Sequence, residues 1–358
     1  MFRMVTLSLL ICTVVNSDVI TVSGNRGKDI QIALNMASCG DTVHIPQGDY
    51  FFDRSVVVEK RVSVIGSGKE KTKIYRKNNV AGLLWLFRIN GNKSDHVRIS
   101  GMALLGDLSE VTSGILLENE SENFRVDNCT FKHLSRRAVK VKDGGKGVID
   151  NNIFIDNWPT AVVVYGRGEK EWERGLSLGS ENAVFVEDNY FEQGDVPNKS
   201  MAHHVASNNG SKYVFRYNVI NDQKMASHAV DAHGNKFYWP RGSRSYEIYG
   251  NRINAVHRWA GINIRGGDGV IFNNRFFGSF VSPIHLMHEC REGDGECEYP
   301  CIDQIRELYM WDNWYNEKRV DVYVRHKHLI RQGRDYLLYE HPEYRPFEYP
   351  HPLTRQKK

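Results

Sequence analysis

From about residue 51 to residue 325, apolar and polar positions alternate in short runs, cut every few residues by Gly, Asn or Asp. Alternation with a period of two marks strands that bury one face. Two kinds of run take turns. One leads into an Asn followed by an apolar or aromatic residue: VDNCTF at Asn128, IDNNIF at Asn152, VEDNYF at Asn189, FRYNVI at Asn218, IYGNRI at Asn251, FNNRFF at Asn274 and WDNWY at Asn313. The other follows it: AVKVKDGG, AVVVYGRG, HVASNNG, AVDAHGN, GINIRGG and PIHLMHE, with GILLENES ahead of the series. The Asn spacings are 24, 37, 29, 33, 23 and 39 residues. Strand and turn repeated at a shortest period of 23 to 24 predict a parallel β-helix, an all-β solenoid whose coils carry inserted loops. Stacked coils set the repeated Asn residues one above another, where their amides hydrogen-bond along the stack.

The N-terminal part breaks this rhythm. KDIQIALNMA places apolar residues at helical spacing, with Asp29 close to its start. A helix there covers the unpaired strand edges at the open end of the solenoid. The expected layout is a leader over 1–17 and one domain over 18–352. Within that domain lie a cap at about 26–50, coils at about 51–325 and a tail at 326–352 that packs back along the coils. A loose basic end follows at 353–358.

Composition adds the setting. Arg3 followed by the apolar run Met4–Val15 and the small Ser17 reads as a secretory signal peptide, too short to span a bilayer. No later stretch is apolar enough to cross, so a secreted chain is expected, and a monomer. The chain has 47 Lys and Arg against 43 Asp and Glu, with Arg3 in the leader, and this near balance argues against a nucleic-acid partner. Cys290, Cys297 and Cys301 share the loop CREGDGECEYPC, which predicts a local disulfide in an exported protein. Asn92, Asn119, Asn128, Asn198 and Asn209 open glycosylation sequons.

IQIALNMASCGDTVHIPQGDY resembles the N-terminal cap of the pectate-lyase-like superfamily of right-handed β-helices, and the N-x-F repeats are similar to its coils. The tail GRDYLLYEHPEYRPFEYPHPL resembles the end of secreted bacterial members. The resemblance covers nearly the whole mature chain. It implies the fold, and it leaves the activity open among lyases, hydrolases, epimerases, esterases and adhesins.

Alignment of the second runs sorts their faces. Val139, Val141, Val162, Val164, Val230, Ala232, Ile262 and Ile264 point inward. One outward column is then Lys140, Val163, Ala206, Asp231, Asn263 and His285. Its neighbour is Lys142, Tyr165, Asn208, His233, Arg265 and Met287. With coils about 4.8 Å apart, Lys142 to Arg265 spans about 19 Å, the reach of a few sugar rings. Such a polar, basic and aromatic strip suits an acidic polysaccharide.

β-Elimination of a uronic acid polymer needs a group that neutralises the carboxylate, a base for the C5 proton and an acid for the leaving oxygen. Arg265 is read as the first, helped by Asn263 or Asn208. His233 is the base, oriented by Asp231, and Tyr165 or His228 the acid. Lys142, Lys140 and His285 extend the strip. The loop residues Trp239, Arg241 and Arg244 offer stacking and carboxylate clamps, as does Arg258 beside the next coil, unless they simply pack the loops. HAVDAHG is also similar to the Tyr-Gly-Phe-Asp-Pro-His-Asp motif of mannuronan C5-epimerases. His228, Asp231 and His233 take the Tyr, Asp and His positions; Ala232 replaces the proline and His228 the tyrosine.

The expected function is therefore a polysaccharide lyase. The alternatives are a C5-epimerase, a glycoside hydrolase or a non-catalytic glycan-binding adhesin. A hydrolase needs two carboxyl groups flanking one bond, and near His233 the columns offer only Asp231. No cofactor is expected. Calcium, common in this superfamily, asks for clustered carboxylates that the strip lacks.

Overall fold

The computed structural model describes residues 17–78, 80–82, 84–92, 95–108, 110–194, 203–225, 227–236, 239–257, 259–291 and 293–355. The leader up to residue 16, the sequon residue Asn198 and Arg258 lie outside them. Among the described residues no helix is long and apolar enough to cross a membrane.

Three parallel sheets wind around one core. Among the described residues they hold 12, 10 and 11 strands, and the neighbours are strands from successive coils except for one antiparallel hairpin, Trp314–Tyr315 with Lys318–Arg319, at the end of the 11-stranded sheet. The core is continuous, because alternate residues of all three sheets turn inward. Val139, Val162, Val205, Val230, Ile262 and Ile284 make one such file, each completely buried. Phe131, Phe154 and Phe191 make another, with ring centroids 4.9 and 4.7 Å apart. At the N-terminal end the helix Gly27–Met36 lays Ile30, Ala33 and Leu34 on this core. The Asp29 carboxylate accepts from the Arg26 backbone N–H at 3.0 Å, which satisfies one of the free donors of the first turn.

The Asn repeat forms a hydrogen-bonded ladder. Nδ2 of Asn152, Asn189, Asn218, Asn251 and Asn274 each donates to Oδ1 of the next Asn, ending at Asn313, over 2.9–3.1 Å. The backbone N–H of each rung donates to the same oxygen. Asn128 is not a rung. It sits exposed at φ 52°, and the ladder position belongs to Cys129, whose N–H donates to Asn152 Oδ1 at 2.9 Å. The doubled polar residues of Asp127–Asn128 and Asn151–Asn152 shift the apparent register by one.

The tail runs back along the first sheet. Tyr344 donates to the buried Glu247, and the buried Arg216 donates to the carbonyls of Phe347 and Glu348 at 2.8 Å each. The His351 N–H donates to Glu187 at 2.8 Å. Arg125 holds the Thr354 carbonyl at 3.1 Å, so the packed tail runs past residue 352. A disulfide joins Cys297 and Cys301, with Cys290 Sγ 3.9 Å from Cys297 Sγ.

Candidate active site on the second sheet

The two outward columns exist in the expected register. Lys140 pairs with Val163, Val163 with Ala206, Ala206 with Asp231, Asp231 with Asn263 and Asn263 with His285. Tyr165 pairs with Asn208. Pointing away from the core does not mean facing water, however. Asp231 and Asn263 are completely buried and His285 is 1% exposed. The Trp259 ring lies over this end, 4.5 Å from His285 and 5.5 Å from His228.

Asp231 is the centre of a charged network. Arg265, one coil on, donates to Oδ1 from Nε at 2.9 Å and to Oδ2 from Nη2. His233 Nε2 lies 2.7 Å from Oδ2, and His203 Nε2 lies 3.8 Å from it. His228 Nε2 approaches Oδ1 at 2.9 Å, but out of line for a good hydrogen bond. Glu289 closes the network. It accepts from Arg265 Nη1 at 2.6 Å, and its other oxygen meets His233 Nδ1 at 3.1 Å and the Gly234 N–H at 3.2 Å.

These contacts set the protonation states. Burial opposes charge on Asp231, yet Arg265 and the surrounding histidines hold its carboxyl well below the usual range. Burial and Arg265 push His233 down, but the Asp231 and Glu289 carboxylates outweigh them and its pKa is raised. Its Nδ1 meets Glu289 at 3.1 Å, and its Nε2 faces both Asp231 Oδ2 and the Arg265 Nη2 group, each at 2.7 Å. His203 goes the other way: burial and the neighbouring His228 depress it well below 6.5. Burial likewise lowers His228, and it brings His285 down to about 3. Two imidazoles shifted in opposite directions, His233 up and His203 down, thus flank a single carboxylate, His233 20% and His203 12% exposed.

The column leading away from this cluster is covered, with Ala206 at 6% and Val163 at 2% exposure. Ala206 and Val163 continue the Asp231 column toward Lys140. Tyr165 and Trp239 form an aromatic wall, with ring centroids 4.7 Å apart. Lys140 Nζ lies over the Tyr165 ring, 4.7 Å from its centroid. Burial, then Arg137, Lys142 and Arg136, lower the Lys140 ammonium to about 8, the mark of a cation crowded by cations. Lys142 Nζ stands 3.7 Å from Asp143.

Several sequence expectations need correction. Arg265 is not open to a substrate carboxylate, because two buried carboxylates already occupy its guanidinium. His228 and His285 pack on the Trp259 ring and are buried, Asn263 is buried too, and Asn208 is 5% exposed with its Oδ1 taken by the Asn209 N–H at 2.7 Å. Arg241 and Arg244 pack loops. Arg241 is bound to Asp303 and Glu169, Arg244 reaches Asp268 at 3.5 Å, and both lie on the Trp172 ring.

Two residues had escaped the sequence reading. Glu289 continues the alternation of His285 and Met287 by one more step, and that was the available signal. His203 gave a misleading one. It lies three residues before Ala206, where alternation turns it inward, but the corner that starts each strand turns His204 inward instead. His204 bonds Asp222 at 2.8 Å and packs on Phe191.

A cation position also exists here. His203, Asp231 and His233 bring their ligand atoms within 4.8 Å of one another. The Arg265 Nη2 group stands at that position, 2.7 Å from His233 Nε2 and bonded to Asp231, so the chain supplies its own cation. His288, Cys290 and Cys297 form a second such group, but Cys297 is committed to its disulfide.

Comparison with known proteins agrees with this architecture. The family described as the right handed beta helix region matches residues 13–171 and 113–292. The SPbeta prophage-derived uncharacterized protein YomE of Bacillus subtilis is 24% identical over 140 residues, which are 36% of this chain and 21% of that protein. The chain thus spans about a fifth of the curated relative it matches. Among solved structures, an alginate lyase from Paenibacillus sp. FPU-7 superposes with a TM-score of 0.51 at 12% identity, covering 86% of this chain and 98% of that one. The Dettilon tailspike protein superposes at 0.54 with 10% identity, over 86% and 68% of the two chains. At these identities the likeness is one of fold. The continuous three-sheet coil and the match over most of its length make this chain a member of the right-handed β-helix family.

Proposed function

We propose that this protein is a secreted polysaccharide lyase that cleaves a uronic-acid-containing glycan by β-elimination. The observation that carries the reading is the pair His203 and His233 on either side of Asp231, their pKa values driven apart, at one end of a sheet face whose other end, at Lys140, is basic. Groups of one kind with pKa values driven apart are the signature of an acid and base pair.

The sugar lies against the half-buried Tyr165–Trp239 wall, between His203 and Lys140. Its carboxylate faces Lys140 and Arg137, whose excess positive charge makes the carbanion-like state at C5 tolerable. His203 Nδ1 faces the His228 carbonyl at 3.4 Å, which leaves the Nε2 lone pair for the C5 proton. The electron pair forms the C4–C5 double bond as the C4–O4 bond breaks. O4 takes a ring proton from His233. Asp231 holds both rings in place, and Arg265 with Glu289 keeps Asp231 and His233 charged. His233 thus acts as the acid rather than as the base expected from sequence.

The test is ultraviolet absorbance of the unsaturated uronate while the purified protein meets pectate, alginate, glucuronan and glycosaminoglycans. One substrate gives rising absorbance, and His203→Ala and His233→Ala each abolish it. A flat trace on every polyuronate rejects elimination. Exchange of the C5 proton for solvent deuterium without cleavage would instead identify an epimerase.

A further inference from the structure

Where the strands Thr160–Tyr165 and His203–Asn208 end, the chain turns through glycines into a cavity of about 240 Å³. Tyr165 lines it and also forms part of the strip's wall, so the two spaces adjoin. Four cations line the cavity, Lys146, Arg167, Arg174 and Lys212, against one carboxylate, Glu171. At about 30 Å³ for each water, the space equals about eight waters.

Glu171 belongs to the short helix Glu169–Trp172 in the excursion that walls the strip, and its side chain is 7% exposed. Arg167 meets its Oε1 at 2.6 Å and Lys212 its Oε2 at 3.4 Å. Those two pairs suffice to pin the excursion on the coil. Arg174 adds little to the pinning: it is 57% exposed and 3.9 Å from Glu171. Lys146 reaches only Glu122 at the rim, 3.4 Å away and 50% exposed, and Arg167 also touches the rim residue Glu120 at 3.3 Å. Such exposed pairs hold little energy. Even with both rim carboxylates counted, the cations outnumber the anions. Lys212 is 9% exposed, and burial first, then the neighbouring Arg244 and Arg174, depress its ammonium despite Glu171. A partly enclosed space with excess positive charge favours an anion.

We infer that this cavity is a second anion subsite, which takes an oxyanion substituent of the glycan, a uronate carboxylate or a sulfate ester, on a unit adjoining the one against the Tyr165–Trp239 wall. The inference rests on the strip being the glycan's path. It adds to that reading a requirement for charge on two units of the polymer. Lys146 and Arg174, each held only in a long or exposed pair, supply the charges, and Tyr165 is the boundary between the subsites.

The test is calorimetric binding to the full chain carrying His203→Ala, so that no substrate is consumed. The probes are an unsulfated oligouronate, a sulfated oligosaccharide and inorganic sulfate. The expected result is that Lys146→Ala with Arg174→Ala weakens the preferred oligosaccharide about tenfold or more, as loss of charge-assisted bonds does. Lys146→Arg with Arg174→Lys keeps the affinity and shows that charge, not a damaged fold, is responsible. Preference for the sulfated probe identifies a sulfate ester, and preference for the unsulfated one a carboxylate. Equal affinity before and after the double alanine change overturns the inference, as does the absence of binding by all three probes. Because binding is read without turnover, a protein that fails to eliminate any polyuronate still reports on this subsite.

Discussion

Asp231 and Arg265 stand one coil apart in adjacent columns, and the guanidinium grips the carboxylate through both Nε and Nη2. The pair is almost dry, with Asp231 at 0% and Arg265 at 12% side-chain exposure. Removing one partner of a buried ion pair strands the other, at a cost of about 3–5 kcal/mol. Arg265→Met strands both Asp231 and Glu289, so urea unfolding is expected to show a loss of that order. Asp231→Asn added to it should return part of the loss. A single change that costs less than about 1 kcal/mol would mean the pair is solvated, as exposed pairs are.

The same cluster makes stability depend on pH from two sides. The folded pKa of His233 is raised above 6.5, so its contribution is complete below the unfolded value and is lost as pH rises through the folded one. Asp231 and Glu289 are lowered, so their contributions are present above about 3.8 and 4.5 and are lost as pH falls through the folded values. His203, His228 and His285, kept neutral, favour the unfolded chain as pH drops below 6.5, because only that chain takes up their protons. Denaturation midpoints across pH should show His233→Gln removing the decline on the alkaline side. An unchanged alkaline limb would place that decline elsewhere.

Lys140 predicts a pH limit on substrate binding. Its ammonium titrates near 8, so carboxylate binding is strong below that pH and weakens above it. KM for the polyuronate should rise as pH passes about 8 in the wild type. Lys140→Arg keeps its charge and should flatten that rise while kcat keeps its own profile. A rise that persists in Lys140→Arg would exclude this lysine as its source.

The ladder gives a stability test with an internal control. Asn218 is 1% exposed and binds both neighbouring rungs, so Asn218→Ala leaves buried partners unmet. At about 1–3 kcal/mol for each stranded group, a loss of about 3 kcal/mol is expected. Asn128→Ala, in the same sequence motif but exposed, should cost only about 1 kcal/mol, that of seating Ala at φ 52°. Equal effects in urea titrations would refute the assignment of the rung to Cys129.

The coil itself was legible in the chain, because strand alternation is a local property. Each residue's in-or-out choice follows from its neighbour, and stacking then repeats that choice from coil to coil. That is why the inward files and both outward columns appear in the expected register, and why six of the seven Asn motifs name a rung. Alternation says only which way a side chain leaves its own strand. What covers it comes from elsewhere: Trp259 packs on His228 and His285, and Asp303 and Trp172 draw Arg241 away from the strip. The tertiary structure alone decided that Arg265 would be held by Asp231 and Glu289, and that His203 would leave its alternation to stand beside them. Burial and charge partners fix the protonation of such groups, and those partners lie one or two coils away, beyond the reach of any local pattern.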